Sequence, residues 1–268
     1  MILLGFDVEE FDMPFEYGKS ISFDEQLDIS TKGTNTILGL LRQKNIKATF
    51  FCTANYAINK PDIIKQMVTE GHEVASHGYY HSDFKVEHLR QSKLALENIS
   101  GTKVTGFRMA RMMPVDEAEI AKAGYKYNSS INPTWLPGRY NNFDKPRTWF
   151  YDHGVLQIPA SVSPLIRFPL FWLSFHNLPL SLLKRMASAT LKKDGYLNLY
   201  FHPWEFTDLH DKEKFGFPGY VSKNSGDAFA HRIGAFIDWA TGKGYTFGQT
   251  DGFCENIKNK NNQEPVLH

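Results

Sequence analysis

The chain of 268 residues is 42% hydrophobic and 22% charged, which is ordinary for a globular protein and excludes a disordered or fibrous one. Its formal net charge is +1 and no long basic run is present, so charge gives no argument for nucleic-acid binding. The two cysteines, Cys52 and Cys254, form no CxxC pair or Cys/His ribbon. We expect both to be buried, reduced thiols.

The first twelve residues, MILLGFDVEEFD, lack the features of a secretory signal. Such a signal has a basic start, a longer apolar run and a small-residue cleavage site, so the sequence predicts a cytoplasmic protein. The most apolar stretch, 164–186, is interrupted by Arg167, His176 and Asn177 and is too broken to span a membrane. It predicts a buried core element or a packed lid, with a membrane-surface patch as the alternative.

Strand-like and helix-like segments alternate along the chain. Short apolar runs predict strands at 2–6, 47–52, 73–76, 103–107, 125–131, 155–159, 196–201 and, more weakly, 245–248. Apolar periodicity and boundary residues predict helices at 34–43, 61–70, 86–99, 115–123, 180–193 and 226–243. This alternation indicates a mainly parallel α/β sheet with helical crossovers. The strand count alone does not decide between a barrel and a doubly wound sheet.

Two carboxylates follow the first predicted strand, in Asp7-Val8-Glu9-Glu10. Residues two apart in a strand point to the same side, so Asp7 and Glu9 are expected to converge, with Val8 and Glu10 on the other face. Two carboxylates held together are unfavourable unless a cation lies between them. An acidic loop in solvent is the alternative interpretation.

Two histidines follow the third predicted strand, in the sequence SHGYYH. The spacing of His77 and His81 predicts that both imidazoles lie on one face of a helical turn, as in other zinc sites, with Ser76 as its cap. Because the chain contains ten histidines, such a pair also arises by chance.

Arg108 directly follows the fourth predicted strand and His202 ends the seventh. An arginine at a strand end often fixes a carboxylate, although a surface salt bridge and a buried histidine are the simpler readings of these two positions. All four signals fall at the carboxyl ends of strands, which share one face in parallel α/β folds. Together they indicate a hydrolytic zinc site with open coordination positions.

These motifs, taken in order, resemble those of the polysaccharide deacetylase family, also called the NodB-homology or carbohydrate esterase family 4. DVE and SHGYYH are similar to the motifs of its exopolysaccharide-synthesis branch, and so is the later segment YFHPWEF. GFRMA resembles the family's arginine motif. The resemblance covers about residues 1–250 and implies an irregular (β/α) barrel of about seven parallel strands. It implies one catalytic domain over 1–257, followed by a polar tail over 258–268 that is expected to fray.

The resemblance also implies a role for each motif residue. It makes Asp7 the base, with Arg108 as its partner, and His202 the general acid. It makes Glu9, His77 and His81 the ligands of a divalent metal, with zinc as the expected ion. The implied function is removal of N-acetyl groups from an amino sugar or polysaccharide, with contact to a membrane or lipid-linked sugar as a further expectation.

Several positions depart from the family pattern. Arg111 stands beside the motif arginine, where small residues or proline are usual, and is expected to alter the substrate groove. Asn128 and Gln157 stand where the branch tends to carry Asp and Glu. The family's aspartate that supports the acid histidine has no clear match.

Three aromatic residues, Trp204, Tyr80 and Trp135, are candidates for stacking on a sugar ring, with plain packing as the alternative for each. Two other functions remain open on the same residues. One is hydrolysis of a small cyclic amide or formamide on the same scaffold. The other is carbohydrate binding by a relative that has lost catalysis.

Overall fold

Parallel strands form the centre of a curled sheet in the computed structural model, which describes residues 1–137 and 139–263. The strands in chain order are β1 (Ile2–Val8), β2 (Thr49–Cys52), β3 (Glu73–Ser76), β4 (Gly106–Phe107), β5 (Tyr127–Asn128), β6 (Trp135–Leu136), β7 (Tyr140–Asn141), β8 (Phe150–Asp152), β9 (Val155–Gln157), β10 (Leu197–Phe201) and β11 (Phe247–Gly248). Seven of them run parallel in the order β10-β1-β2-β3-β4-β5-β9.

The strand order decides between the two predicted architectures. It follows the chain from β1 to β9 and brings β10 back beside β1, whereas a doubly wound sheet reverses at a switch point. Antiparallel β8 extends the sheet beyond β9, and β11 pairs with the start of β1. The amide of Ser161 donates to the carbonyl of Asn198 at 2.9 Å, which links the chain after β9 to β10. The fold is therefore a curled, irregular α/β barrel, as predicted.

Helices cover the outside of the sheet. They are α1 (Phe23–Lys44), α2 (Ala54–Asn59), α3 (Pro61–Thr69), α4 (Glu87–Ser100), α5 (Glu117–Ala123), α6 (Trp172–Asn177), α7 (Leu180–Asp194), α8 (Lys212–Phe215), α9 (Gly219–Ser222), α10 (Asp227–Gly242) and α11 (Thr250–Gln263). Each of the six predicted helices is present, and all but the first begin and end within two residues of the prediction. Residues 258–263 lie in α11, and the rest of the predicted tail, 264–268, lies outside the described residues.

Helix α1 begins eleven residues earlier than its apolar periodicity predicts. Its start is capped by Ser22, whose hydroxyl accepts a hydrogen bond from the amide of Glu25. The polar first half is kept by tertiary contact, because Ser30 is buried and donates to the carbonyl of Glu9 at 2.6 Å. A Cβ at Gly33 would overlap the carbonyl of Pro203, so the helix lies directly against the chain that follows β10.

Strand β1 shows how the barrel separates two sets of side chains. Ile2, Leu4, Phe6 and Val8 join the core between sheet and helices, whereas the alternate residue Leu3 joins a smaller core inside the barrel. The inward set continues as Gly5 and Asp7, as the two-residue period of a strand requires. Cys52 and Cys254 are both free and buried, as expected.

The apolar segment 164–186 combines both predicted characters. Its part in α6 is buried, with Phe175 and His176 at 0–1% exposure, so this part packs as core. Its first part is exposed, with Leu165 at 95% and Ile166 at 74%. Within the described ranges, no helix has the length and apolarity needed to cross a membrane.

Candidate metal centre and active site

Four strands of the sheet, β10, β1, β3 and β4, end at or beside one small cavity. Asp7 lies at the end of β1, His77 follows β3, Arg108 follows β4 and His202 follows β10. Asp7, His77 and His202 line the cavity, and Arg108 lies fully buried behind Asp7. The space open to water-sized groups is about 70 Å³, so these side chains face a confined volume in which charges interact strongly.

Glu9, His77 and His81 meet at one wall of this cavity. The Oε2 atom of Glu9 lies 3.1 Å from Nε2 of His77 and 3.0 Å from Nε2 of His81. The three ligand atoms lie within 4.8 Å of one another, and all three residues are buried. Two imidazole nitrogens and one carboxylate oxygen form a donor set that suits a catalytic zinc ion with open positions.

The outer nitrogen of each imidazole is already engaged. Nδ1 of His77 lies 3.0 Å from the carbonyl oxygen of Arg108, which can only accept a hydrogen bond, so this nitrogen carries the proton. Nδ1 of His81 lies 2.7 Å from Oδ1 of Asp12. When the ring is neutral, with its proton on Nδ1, each imidazole turns the lone pair of Nε2 toward Glu9, which is the usual arrangement of metal-binding histidines.

A buried oxygen without a donor supports a cation at this point. Among the described residues, Oε2 of Glu9 has no hydrogen-bond partner, although buried polar atoms nearly always have one. Two nitrogen lone pairs and this oxygen would repel one another if nothing positive lay between them. The residues present therefore fit a divalent metal ion.

The electrostatics of the protein alone point the same way. Burial raises the pKa of Glu9, but His81, His77 and His202 together outweigh it and the net pKa lies well below its usual range. Burial lowers the pKa of His81, but the carboxylates of Glu9 and Asp12 raise it to about 9 overall. The surroundings of Glu9 thus favour positive charge.

Arg108 crosses the barrel interior to reach Asp7. Its Nη1 donates to Oδ1 of Asp7 at 2.6 Å, while Nε and Nη2 donate to the backbone and hydroxyl oxygens of Ser129, each at 3.0 Å. The guanidinium lies over the ring of Phe51. Its path depends on Gly5, since a Cβ there would lie 2.8 Å from Nη1. Arg108 holds Asp7 through one oxygen and leaves the other, Oδ2, facing the cavity.

His202 lies on the opposite wall and is held by Glu205. Nδ1 of His202 donates to Oε1 of Glu205 at 2.9 Å, and the backbone amide of His202 donates to the same oxygen at 2.6 Å. Nε2 of His202 is 3.9 Å from Oδ2 of Asp7. Burial lowers the pKa of His202, but the bond to Glu205 and the nearby carboxylates of Glu9 and Asp7 raise it overall.

Glu205 supplies the support for His202 that the sequence analysis left unassigned. It is fully buried and its second oxygen lies 2.8 Å from Nε2 of His176. Its position three residues after His202, on the turn Pro203–Phe206, is the signal that could have identified it. Asp12, which holds His81, was also missed because it lies in an irregular segment 69 residues away in sequence.

The segment that carries the two histidines is a loop, so the predicted helical turn is wrong. Gly78 has φ of +89°, in the left-handed region. Its carbonyl accepts from the amide of Ala54, and the carbonyl of Tyr79 accepts from Asn55. Ser76 still holds the loop, because its hydroxyl accepts from the amide of Gly78 at 3.2 Å. Tertiary hydrogen bonds, rather than helical spacing, bring the imidazoles together.

Of the three aromatic residues predicted to stack on a sugar, Trp204 lines the cavity, and Tyr80 and Trp135 do not. Trp204 is 2% exposed, stacks against His202 and Phe11, and donates from Nε1 to Oε1 of Glu9 at 3.3 Å. Tyr80 packs on neighbouring rings outside the cavity lining, and Trp135 lines a separate groove. The aromatic residues that line the cavity beside Trp204 are Tyr140, Phe171, Trp172 and Tyr200.

The remaining departures from the family pattern divide between the cavity and its surroundings. Arg111 lines the cavity and forms ion pairs with Asp12 and Glu16. Asn128 and Gln157 instead hydrogen-bond to each other within a buried cluster and do not line the cavity. Arg111 is therefore the departure that touches the site.

Comparison with known sequences finds similarity to one family over part of the chain. Residues 19–127 match the sequence model described as polysaccharide deacetylase, a span that holds both candidate histidine ligands and Arg108. A chitooligosaccharide deacetylase from Bradyrhizobium sp. (strain ANU 289) is 46% identical over 50 residues, which cover 19% of this chain and 23% of that protein. The chain matches such curated relatives over about a quarter of their own length.

Solved structures extend the likeness to nearly the whole chain. A Mycobacterium smegmatis protein described as a polysaccharide deacetylase aligns with a TM-score of 0.64 and 18% identity, covering 97% of this chain and 90% of that one. The Puue allantoinase aligns with a TM-score of 0.61 and 16% identity, covering 94% and 87%. At these identities the structural likeness concerns the fold. Residues 19–127 are thus similar in sequence to the polysaccharide deacetylase family, and nearly the whole chain is similar in fold to a solved structure described by that name.

Proposed function

We propose that this protein is a metal-dependent hydrolase that removes N-acetyl groups from an amino sugar or a polysaccharide intermediate, as in exopolysaccharide synthesis. Residues 1–257 would act as one cytoplasmic catalytic domain. The observation that carries the proposal is the position of three groups around one cavity. The triad Glu9, His77 and His81 forms one wall, and the pairs Asp7–Arg108 and His202–Glu205 complete it.

The two pairs suit the proton transfers of amide hydrolysis. Asp7, with Oδ2 free of Arg108, takes a proton from water as its oxygen forms a bond to the acetamide carbon. His202, whose Nδ1 is bound to Glu205, donates from Nε2 to the sugar nitrogen as the carbon–nitrogen bond breaks. The products are acetate and a free amine. After the reaction, Asp7 carries an extra proton and His202 lacks one. Nε2 of His202 lies 3.9 Å from Oδ2 of Asp7, and transfer of the proton from Asp7 to His202 restores the starting state.

Glu9, His77 and His81 would hold the metal ion, and we propose zinc. A bound divalent cation supplies Lewis-acid activation of water and polarisation of the carbonyl oxygen. The chain prepares for that ion by fixing both imidazoles through their Nδ1 atoms, so little ordering is needed when it binds.

A hydrolase of small cyclic amides is the first alternative. This chain is similar in fold to a protein described as an allantoinase. Fold alone does not distinguish hydrolysis of a cyclic amide from deacetylation of a sugar. The sequence match to chitooligosaccharide deacetylase favours the acetylated sugar.

A carbohydrate-binding protein without catalysis is the second alternative. Two of its arguments were the changed arginine motif and the missing support for the acid histidine. Arg108 nevertheless contacts Asp7, and Glu205 supports His202. Both observations favour an enzyme.

Acetate release tests the proposal directly. Zinc-loaded protein would be given chitooligosaccharides, methyl N-acetyl-β-glucosaminide, allantoin and formamide, with metal content measured on the same sample. The proposal expects acetate from the N-acetylated sugars and loss of that activity in Asp7→Asn. Glu73→Gln, which also changes a buried carboxylate to an amide, is the matched control. Turnover of allantoin alone would favour the first alternative, and sugar binding without turnover would favour the second.

A further inference from the structure

An apolar groove opens beside the catalytic cavity. It has a volume of about 540 Å³, and most of its lining is aromatic or aliphatic, including Trp135, Leu136, Phe143, Ile166, Phe168 and Leu173. Several of these side chains are far more exposed than is usual for their type, with Ile166 at 74%, Trp135 at 57% and Phe143 at 47%. A concentration of exposed apolar groups of this kind marks a binding surface.

The groove and the cavity share a wall. Phe171 lines both. The hairpin formed by β6 and β7 carries Leu136 into the groove and Tyr140 into the cavity, and these two residues are paired across the hairpin. The cavity and the groove are therefore adjacent, with Phe171 between them.

Polar side chains that line the groove already donate hydrogen bonds to backbone carbonyl groups. Ser174 donates to the carbonyl of Pro169, and Asn177 to the carbonyls of Leu173 and Tyr220. Arg167 donates to the carbonyls of Pro133 and Lys145.

Thr134 donates to the carbonyl of Arg167 at 2.7 Å. These bonds hold the groove in shape but leave it few donors for a second sugar, which is recognised mainly through polar groups. An apolar chain needs only shape and contact area.

We propose that the groove binds a hydrocarbon chain covalently attached to the saccharide, so that the substrate class is an N-acetylated sugar with a lipid tail. The inference rests on the proposed deacetylase function, since it places the sugar in the cavity. It also gives a role to the exposed part of the 164–186 segment.

Matched glycosides test the proposal. The probes are methyl and octyl N-acetyl-β-glucosaminide, the latter below its micelle-forming concentration. Binding would be measured by calorimetry on zinc-loaded Asp7→Asn protein and kcat/KM on the wild type. We expect the octyl compound to be favoured at least about tenfold, because each buried methylene adds to the affinity. Ile166→Ser with Phe143→Ser should bring the ratio toward 1, whereas Leu94→Ser, an exposed leucine on α4, should keep it.

Three results would overturn the inference. One is equal affinity for the two glycosides. Another is equally tight binding of octyl β-glucoside, which has no acetamide and would show an alkyl site independent of the cavity. The third is loss of phosphatidylglycerol vesicle binding in the groove variants without any change in the octyl-to-methyl ratio, which would indicate a membrane-docking face.

Failure of the deacetylase proposal gives a different result. In that case neither glycoside releases acetate, while the octyl preference in binding is still present. Conversely, acetate release from both glycosides with no octyl preference would leave the deacetylase in place and remove the tail site.

Discussion

The two ends of the barrel interior each bury a glutamate, and the surroundings of the two are opposite. At the carboxyl end of the strands, Oε2 of Glu9 faces two imidazole nitrogens and has no hydrogen-bond partner within 1–137 and 139–263. At the other end, Glu73 accepts from the hydroxyls of Thr49 and Tyr127, at 2.7 and 2.6 Å, and from the amide of Asp251. An oxygen of Glu9 is therefore available to a cation, whereas both oxygens of Glu73 accept hydrogen bonds.

Their pKa values differ in the same sense. Burial and the nearby Asp251 raise the pKa of Glu73 to about 7, whereas His81, His77 and His202 together overcome burial and lower the pKa of Glu9. A buried carboxylate with a shifted pKa is thus not sufficient to identify a reactive site. The kind of atom that faces it, donor hydrogen or lone pair, separates the metal centre from the structural cluster.

Replacement of one carboxylate at each end should give the largest contrast. Asp7→Asn removes the base and should lower kcat by about 10²–10⁴-fold, with metal content unchanged because Asp7 is not among the proposed ligands. Glu73→Gln should keep kcat near the wild-type value. Steady-state acetate release with metal analysis measures both, and an equal loss in the two variants would remove the distinction between the two ends.

Replacement of a proposed ligand should empty the metal centre without unfolding the barrel. His81→Ala should lose most of the bound zinc and the activity, because a third of the protein ligands is gone, while its far-UV circular dichroism stays native. Asp12→Asn should weaken zinc binding by a smaller factor, about 10–100-fold, since it acts through His81. His210→Ala, an exposed histidine, is the control. Global unfolding of His81→Ala would make the site structural instead.

The proposed acid, His202, should be visible in the pH dependence. His202→Ala should lower kcat by about 10²–10⁴-fold and keep the metal. Because Glu205 contributes to the raised pKa of His202, Glu205→Gln should move the basic limb of the kcat/KM profile to lower pH. Metal loss in His202→Ala would identify it as a ligand, and an unmoved limb in Glu205→Gln would assign that limb to another group.

At the end of the barrel that holds Glu73, we expect a smaller effect, and it concerns the stability of the fold. A carboxyl whose pKa is raised in the folded state stabilises fully below its unfolded pKa, and this contribution is lost as pH rises through the folded value. The free energy of unfolding of the wild type should therefore fall, by up to about 3 kcal/mol, as Glu73 ionises between pH 4.5 and 8. Glu73→Gln should flatten that slope in urea unfolding measured across this range. Parallel pH profiles for the two proteins would contradict it.

The sequence predicted the barrel well because its signals are local. Short apolar runs between helices set the strands, and strand ends in a parallel sheet share a face, which is sufficient to bring Asp7, Arg108 and His202 together. The short strands β6, β7 and β8 were missed, since two or three residues carry no periodicity. The early start of α1 was missed because its polar residues are buried only by the turn after β10.

The supporting residues of the site were harder to predict for a physical reason. Asp12 and Glu205 act through side-chain hydrogen bonds to His81 and His202. Such contacts depend on the conformation of loops, which no hydrophobic periodicity of the sequence predicts. The helical turn at 77–81 failed in the same way, since a left-handed glycine and bonds to α2 set its path. Trp204 combines both interpretations that the sequence left open, because it lines the cavity and also packs in the core, where it donates to Glu9.

The route of Arg108 past Gly5 has a consequence for how much variation the barrel tolerates. The guanidinium of Arg108 occupies the space that a side chain at residue 5 would need. In a library that randomises this position in the middle of β1, selection for stability alone would return other small residues as well as glycine, because Arg108 could turn aside. Selection for turnover would return glycine alone, since any displacement of Arg108 releases Asp7. A residue with no side chain would then score as one of the most functionally constrained positions in the protein.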